Sequence, residues 1–291
     1  MHIQTFSIVV GGVACNAKCP FCVASLTPAV EFNDSAVLNI HVRNFRKAAN
    51  LAKTAGATTV MLTGKGEPTL YRKQISQYLS MLQEWNFPRI ELQTNAILLE
   101  SRIPDEELAL WYDMGLDTIA ISTAGFDSEI NRQIYMPYAD NYIDLAKVIA
   151  RLHRIGFTVR VNCLLFKQGV SSVAGVSGFI QKAKQLNVDQ TTIVPINKPG
   201  SSLNSKMMAW VGDNQLDPDT IADISNYLQV HGTLLHTLTG GSQVFDVNGQ
   251  NVCWATCLTK DAYQQELRNI IYYGTGRVTT SWEFEGGVLL A

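Results

Sequence analysis

Six short apolar segments alternate with longer segments of helical spacing between residues 4 and 197, and this repeat constrains the fold more than any other feature. The apolar segments are QTFSIVV, TTVMLTG, RIELQTN, DTIAIST, TVRVNCLLF and QTTIVPI. Segments that are apolar on both faces are typical of strands in a parallel sheet covered by helices. The segments between them predict helices at about 41–55, 72–85, 104–114, 140–155 and 173–186. The residues alone leave open whether the sheet is doubly wound or curls into a partial barrel, and in both cases ligands bind at the carboxyl ends of the strands.

The pattern changes after Pro199. Residues 200–218 are predicted to form a loop or linker and residues 218–230 a helix. The later segments VFDVNGQNVCW and YYGTGRVTTSWEF each place glycine-containing turns between β-rich runs, which favours hairpins. We therefore divide the chain into an α/β domain, 1–199, and a small α+β extension, 200–291.

Composition excludes several classes of protein. The chain is 46% hydrophobic and 16% charged with a formal net charge of -2, which predicts a globular protein and argues against a nucleic-acid partner. The N-terminus lacks the basic start and cleavage site of a signal peptide, and no apolar run approaches the ~20 residues that cross a bilayer. We therefore expect a cytoplasmic protein with no membrane partner.

Three of the six cysteines cluster in the run ACNAKCPFC, as Cys15, Cys19 and Cys22. Such close spacing does not suggest a disulfide framework, and it favours a metal centre in a reducing compartment. Three thiolates can hold a four-iron cluster that keeps one iron open. Zinc is the alternative, but a structural zinc site needs four ligands, and the sequence has no histidine between His2 and His41.

A second motif, TGKGEP, follows the second predicted strand. It contains Gly64, Lys65, Gly66 and Glu67. Glycines allow a backbone to approach a ligand closely, and a carboxylate can accept hydrogen bonds from an ammonium group. An ordinary Gly-Pro turn is the alternative interpretation.

Polar residues also end the later strands. Thr94, Ser122 and Asn162 lie at or beside the carboxyl ends of predicted strands three, four and five. Each alone is more often a cap or turn residue. Because parallel strands end at a common edge, we expect all three to lie near the cysteine loop.

Together, the Cys-x3-Cys-x2-Cys loop and GKGEP resemble the radical S-adenosylmethionine (radical SAM) superfamily. The layout from LTGKGEPTL to VRVNCLLF is most similar to the branch with the molybdenum cofactor cyclase and peptide-modifying enzymes, and the resemblance covers 1 to about 199. It implies a partial (β/α)6 TIM-like barrel whose mouth is covered by the extension 200–291.

The resemblance also implies a set of binding residues. Cys15, Cys19 and Cys22 would bind a [4Fe-4S] cluster, and Gly64, Gly66 and Glu67, with Lys65 inserted, would bind the amino group of SAM. Phe21 would contact the adenine, which Ile193 would also approach. Thr94, Ser122 and Asn162 would hold the carboxylate and ribose. The segment QTNAIL departs from the family variant TNG by carrying Ala96 in place of glycine, so the local turn is expected to differ.

The implied reaction is reductive cleavage of SAM to a 5'-deoxyadenosyl radical, which abstracts hydrogen from a small-molecule or peptide substrate. An electron donor such as flavodoxin or ferredoxin and sensitivity to oxygen follow from this chemistry. Two alternatives stay open: a radical SAM methyltransferase acting through a C-terminal cysteine, with Cys257 as acceptor, and a zinc-thiolate binding or interaction protein. Cys253 and Cys257 form a second pair whose role, as structural thiols, a partial metal site or a redox pair, the sequence does not decide.

Overall fold

One twelve-stranded mixed sheet forms the framework of the protein in the computed structural model, which describes residues 2–27, 39–198, 202, 204–238, 241–255, 266–282 and 287–290. The strands are β1 His2–Val9, β2 Thr59–Thr63, β3 Arg89–Thr94, β4 Thr118–Thr123, β5 Thr158–Leu165, β6 Gln190–Pro195, β7 Thr233–Thr237, β8 Gln243–Val247, β9 Gln250–Trp254, β10 Glu266–Tyr273, β11 Val278–Thr279 and β12 Val288–Leu290. The helices are α1 Val23–Leu26, α2 Val42–Thr54, α3 Arg72–Leu82, α4 Asp105–Asp113, α5 Ser128–Tyr135, α6 Leu145–Ile155, α7 Val173–Gln185, α8 Ser205–Asn214 and α9 Pro218–His231, with short 3-10 turns at Pro68–Tyr71 and Ile97–Leu99.

The strand order is β12-β11-β10-β1-β2-β3-β4-β5-β6-β9-β8-β7. The six predicted strands are confirmed, and each pairs in parallel with the next. Strand β10 adds a parallel strand beside β1, and β9 adds one beside β6. The sheet among the described residues is not closed, so the α/β architecture is a partial TIM-like barrel, and strands from 200–291 continue it at both edges.

Alternating side chains give this sheet two unlike faces. On β5, for example, the odd-numbered residues are buried and the even-numbered ones are partly exposed. The buried set, with Ile8, Leu62 and Val159, packs under the helices in the main hydrophobic core. Helix α2 contributes an apolar stripe of Phe45, Ala48, Ala49 and Ala52 to that core. We call the opposite face, which carries Met61, Gln93, Ser122, Asn162 and Thr192, the inner face.

Most helix boundaries match the predictions to within a few residues, because local signals fix them. Gly56, Gly115 and Gly156 each follow a helix with a positive φ, a backbone region that favours glycine. The predicted hairpin at Asn248 and Gly249 is confirmed as the β8–β9 turn, with both residues at positive φ.

Two predictions of secondary structure are wrong. Residues 200–218 are not all linker, because Ser205–Asn214 form α8, which Asn204 caps by accepting a hydrogen bond from the Met207 amide. The helix expected from residue 140 begins at Leu145, while a separate helix, α5, begins after the capping carboxylate of Asp127. No helix in the described part of the chain is long and apolar enough to cross a membrane.

Candidate active site

The cysteine loop leaves the carboxyl end of β1 and ends at α1. Gly11, at a φ of +70°, turns the chain into the loop beneath the Tyr71 ring. Cys15 is exposed, Cys19 and Cys22 are partly buried, and all three are free thiols. Partial loss of solvent in the loop raises the pKa of Cys15 and Cys19, and the negative charges of Glu67 and of neighbouring thiolates raise both further. The three cysteines therefore lie within electrostatic range of one another, and a positively charged partner would favour the ionised form of Cys15 and Cys19.

The TGKGEP loop packs directly against the backbone of the cysteine loop. A Cβ added to Gly66 would lie 2.0 Å from the carbonyl oxygen of Ala14, and the Glu67 amide donates a 3.0 Å hydrogen bond to that same oxygen. A Cβ on Gly64 would lie 3.2 Å from the carbonyl oxygen of Val10. The glycines therefore let the two loops lie against each other.

The Glu67 carboxylate is the centre of a buried hydrogen-bond network. Its Oε1 accepts from the Thr69 amide at 3.0 Å and from the hydroxyls of Thr69 and Thr94, each at 2.6 Å, and its Oε2 accepts from the Asn95 amide at 3.0 Å. Burial raises the pKa of Glu67, while these donors act against that rise. Thr94, predicted to hold SAM, directs its hydroxyl to Glu67 in this structure.

Lys65 places a cation within electrostatic range of Cys22 in the cysteine loop. Its side chain is buried, and its Nζ donates to the Thr27 hydroxyl at 2.7 Å and lies 5.8 Å from the centre of the Trp282 ring. Burial lowers the pKa of Lys65, and the charge of Cys22 opposes that shift. A cation held close to thiolates favours their ionised form.

Phe21 anchors the end of the cysteine loop in an aromatic cluster. Its ring centre lies 5.5 Å from that of Phe166, 5.9 Å from that of Trp210 and 6.1 Å from that of Tyr135. Its side chain is buried by these neighbours. Trp210 belongs to α8, so the C-terminal segment packs onto the cysteine loop.

The remaining predicted residues fall into two groups. Ser122 and Asn162 are adjacent partners in the β4–β5 register, and both are partly exposed on the inner face. Ile193 is fully buried in the main core, so its side chain points away from that face. Cys163 lies beside it in the same core, and Cys257 falls outside the described residues.

Sequence reasoning assigned no binding role to several residues around the loop. The Nδ2 of Asn95 donates to Asn16 at 2.8 Å and lies 4.0 Å from the Cys15 sulfur. The Tyr138 hydroxyl donates to the Asn16 carbonyl. The position of Asn95 directly after Thr94 at a strand end was the signal that could have identified it.

A cluster held by thiolates fits this donor set. The hydroxyls of Tyr135 and Tyr142 are buried within electrostatic range of Cys19, and neither has a hydrogen-bond partner among the described residues. Sulfur atoms of an iron-sulfur cluster accept such hydrogen bonds. In the described part of the chain no three His, Cys, Asp or Glu side chains are grouped as a metal site, and this includes Cys15, Cys19 and Cys22 as they stand. The match to iron-sulfur centres therefore rests on the chemistry of the donors, three thiols on one loop.

Fold and site together define an α/β partial barrel with a three-cysteine loop at the carboxyl end of its first strand. The sequence profile of the Radical SAM superfamily matches residues 9–170, so the chain belongs to that superfamily. No curated protein matches the sequence.

Solved structures of radical SAM enzymes share the fold. Coproporphyrinogen III oxidase from Escherichia coli is similar with a TM-score of 0.53 at 15% identity, over 80% of this chain and 54% of that protein. The protein anSMEcpe with bound AdoMet (SAM) has a TM-score of 0.54 at 12% identity, over 78% and 60% of the two chains. A radical SAM methyltransferase from Sphaerobacter thermophilus has a TM-score of 0.50 at 15% identity, over 78% and 62%. The matched region thus spans less than two thirds of each of these proteins.

Proposed function

We propose that this chain binds a [4Fe-4S] cluster through Cys15, Cys19 and Cys22 and cleaves SAM reductively, and that the resulting 5'-deoxyadenosyl radical abstracts hydrogen from a small-molecule or peptide substrate. The cluster would supply one electron to the sulfonium of SAM. The chain itself would hold both partners and exclude competing reactions.

The observation that carries this proposal is the contact between the two loops. The Ala14 carbonyl, one residue before Cys15, accepts the Glu67 amide, so a buried carboxylate is fixed beside the thiols. A carboxylate in that position can accept a hydrogen bond from the ammonium group of SAM. Its four donors hold it in one orientation, so binding SAM would require little rearrangement.

Other side chains support the same arrangement. Lys65 would offset the negative charge of the thiolates, and Phe21 would fix the end of the loop against α8. Ser122 on β4 and Asn162 on β5 lie on the inner face and offer a hydroxyl and an amide group for the polar parts of SAM. The substrate would enter from the inner face, and the electron would come from a donor such as flavodoxin or ferredoxin.

Anaerobic reconstitution with iron and sulfide tests the proposal. The wild-type protein is expected to turn brown, to bind about four iron atoms per chain, and to form 5'-deoxyadenosine from SAM under reducing conditions. Cys19→Ala should lose both properties. Cys163→Ala is the matched control, because Cys163 lies in the helix-covered core, and it should retain its iron.

Two results would contradict the proposal. The first is a colourless protein that binds stoichiometric zinc and no iron, which would support the zinc-thiolate alternative. The second is a brown protein that leaves SAM uncleaved under reducing conditions.

Methyl transfer is a second candidate, because one C-terminal cysteine lies on the inner face. Cys253 pairs in register with Thr192, Thr192 with Asn162, and Asn162 with Ser122, so Cys253 shares a layer of the sheet with the two candidate SAM positions Asn162 and Ser122. Transfer would break the sulfonium–methyl bond of SAM and form a thioether as the thiol proton leaves. S-adenosylhomocysteine as the sole nucleoside product, lost in Cys253→Ala, would favour this candidate over hydrogen abstraction.

A further inference from the structure

A buried ion pair lies on the inner face below the candidate SAM residues. Glu91 projects from β3, and Arg160 projects from β5, two residues before Asn162. The intervening strand β4 carries Ala120 in register with Arg160, and this small residue lets the arginine side chain cross β4. The Arg160 Nη2 donates to the Glu91 Oε1, which also accepts from the Gln93 Nε2 at 3.3 Å.

The pair leaves one acceptor and one donor unused. The Glu91 Oε2 and the Arg160 Nε are buried, and neither has a hydrogen-bond partner among the described residues. The Glu91 side chain is 2% exposed, whereas 21% of the Arg160 side chain remains exposed. Unpaired polar atoms of buried charged groups are costly, so this arrangement favours a ligand or water that supplies the missing partners.

The charges indicate which ligand matches. A carboxylate oxygen is best satisfied by a cationic N–H donor, and a guanidinium N–H is best satisfied by an anionic oxygen, because charge-assisted hydrogen bonds are the strong ones. The neighbouring inner-face residues Gln93, Ser122 and Asn162 are uncharged. The pair is neutral overall and therefore suits a neutral ligand that carries both charges.

We propose that Glu91 and Arg160 bind the ammonium and carboxylate groups of a zwitterionic amino-acid substrate. This inference rests on the proposed function, since it assigns a substrate class to the inner face of the same site. Such a ligand would lie on the inner face beneath SAM, and its side chain would point toward Ser122 and Asn162.

Calorimetric titration of the reconstituted holoenzyme in the presence of SAM tests this proposal, with each of the twenty free amino acids as a probe. At least one should bind with a Kd below about 1 mM. Its N-acetyl and its amide derivatives should each bind at least about tenfold more weakly, because each loses one charge-assisted hydrogen bond.

The test variant is the double substitution Glu91→Gln with Arg160→Gln. Removing both charges avoids leaving one buried charge unpaired, so the double variant is expected to fold where a single one would not. It should weaken binding at least about tenfold. Glu84→Gln is the matched control, because Glu84 forms an exposed ion pair with Arg46 on the outer surface.

Three results would overturn the inference: no amino acid binds, the blocked derivatives bind as tightly as the free amino acid, or the double variant binds like the wild type. Any of them would make the pair a hydrated structural feature only. Amino-acid binding that persists while SAM is never cleaved would refute the proposed function and leave Glu91 and Arg160 as an amino-acid binding site without that chemistry.

Discussion

Replacing Gly66 with alanine tests whether the contact between the two loops creates the site. The added methyl carbon would lie 2.0 Å from the Ala14 carbonyl oxygen, whereas real Cβ contacts are essentially never under 3.0 Å, so one loop must move by about 1 Å. Gly66 does not have a positive φ, so the strain is purely steric. Overpacking costs about 1–3 kcal/mol, and breaking the bond from the Glu67 amide to Ala14 leaves a buried donor at a similar cost.

We therefore expect Gly66→Ala to lower the free energy of unfolding by about 3 kcal/mol and the melting temperature by about 6–12 °C. Iron bound after anaerobic reconstitution should fall more steeply, because the displaced segment carries Cys15. Scanning calorimetry and iron analysis measure the two effects.

Gly178→Ala provides the matched control. Gly178 lies in α7, and a Cβ there would meet nothing within 4 Å. Alanine is the better helix former, so this variant should be more stable by about 0.5–1 kcal/mol and bind iron normally. The reasoning is refuted if Gly66→Ala matches the wild type in both iron content and melting temperature.

Three further predictions concern local features. Ala96→Gly should leave the melting temperature unchanged or raise it, since Ala96 has a left-handed φ of +62°. The control Ala222→Gly, within helix α9, should lower the free energy of unfolding by about 1 kcal/mol. Glu67→Gln should destabilise the apoprotein by about 1–3 kcal/mol, because its amide group must face one of the N–H or O–H donors, and calorimetry of the apoprotein measures this. Burial raises the pKa of Cys163 and Tyr272 in the folded state. Their full contribution to the free energy of unfolding is therefore present below the pKa that each has in the unfolded chain, and it is lost as pH rises above that value. The melting temperature should fall above about pH 8.5, near the pKa of an unperturbed cysteine. A melting temperature that stays constant in alkaline buffer would contradict the last prediction.

The strands and the placement of both loops could be predicted from sequence because they depend on local pattern and one topological rule. Consecutive parallel strands end at the same edge, so the loops after β1 and β2 had to lie together. The role of Gly66 could not be predicted, since its partner is the backbone of Ala14, which carries no sequence signal. The predicted role of Thr94 toward SAM is untested, and its bond to Glu67 depends on a rotamer that sequence does not specify.

Pairing between strands that lie far apart in the sequence was the feature that the sequence predicted least well. Strand β10 pairs in parallel with β1, joining residues more than 260 positions apart, as in the pair Ile3 and Leu267. The hairpin predicted in YYGTGRVTTSWEF is confirmed by the antiparallel pairing of β10 with β11, but a β-rich run carries no signal for a partner strand that lies far away in the sequence. Helix α8 was missed for a related reason: serine, asparagine and glycine residues in and around its segment SKMMAWVGDN favour a loop, and Trp210 packs against Phe21 and Phe166, which lie far from it in the sequence.

The C-terminal segment completes the site rather than standing apart from it. The family profile matches 9–170, which includes both loops and the Glu67 network. Trp210, Trp282 and Cys253 lie beyond that range, yet the first packs on Phe21, the second lies over Lys65, and the third faces inward beside Thr192. The matched range therefore carries the groups that would hold the cluster and SAM, together with Glu91 and Arg160, and residues beyond it pack against Phe21 and Lys65 of the same two loops.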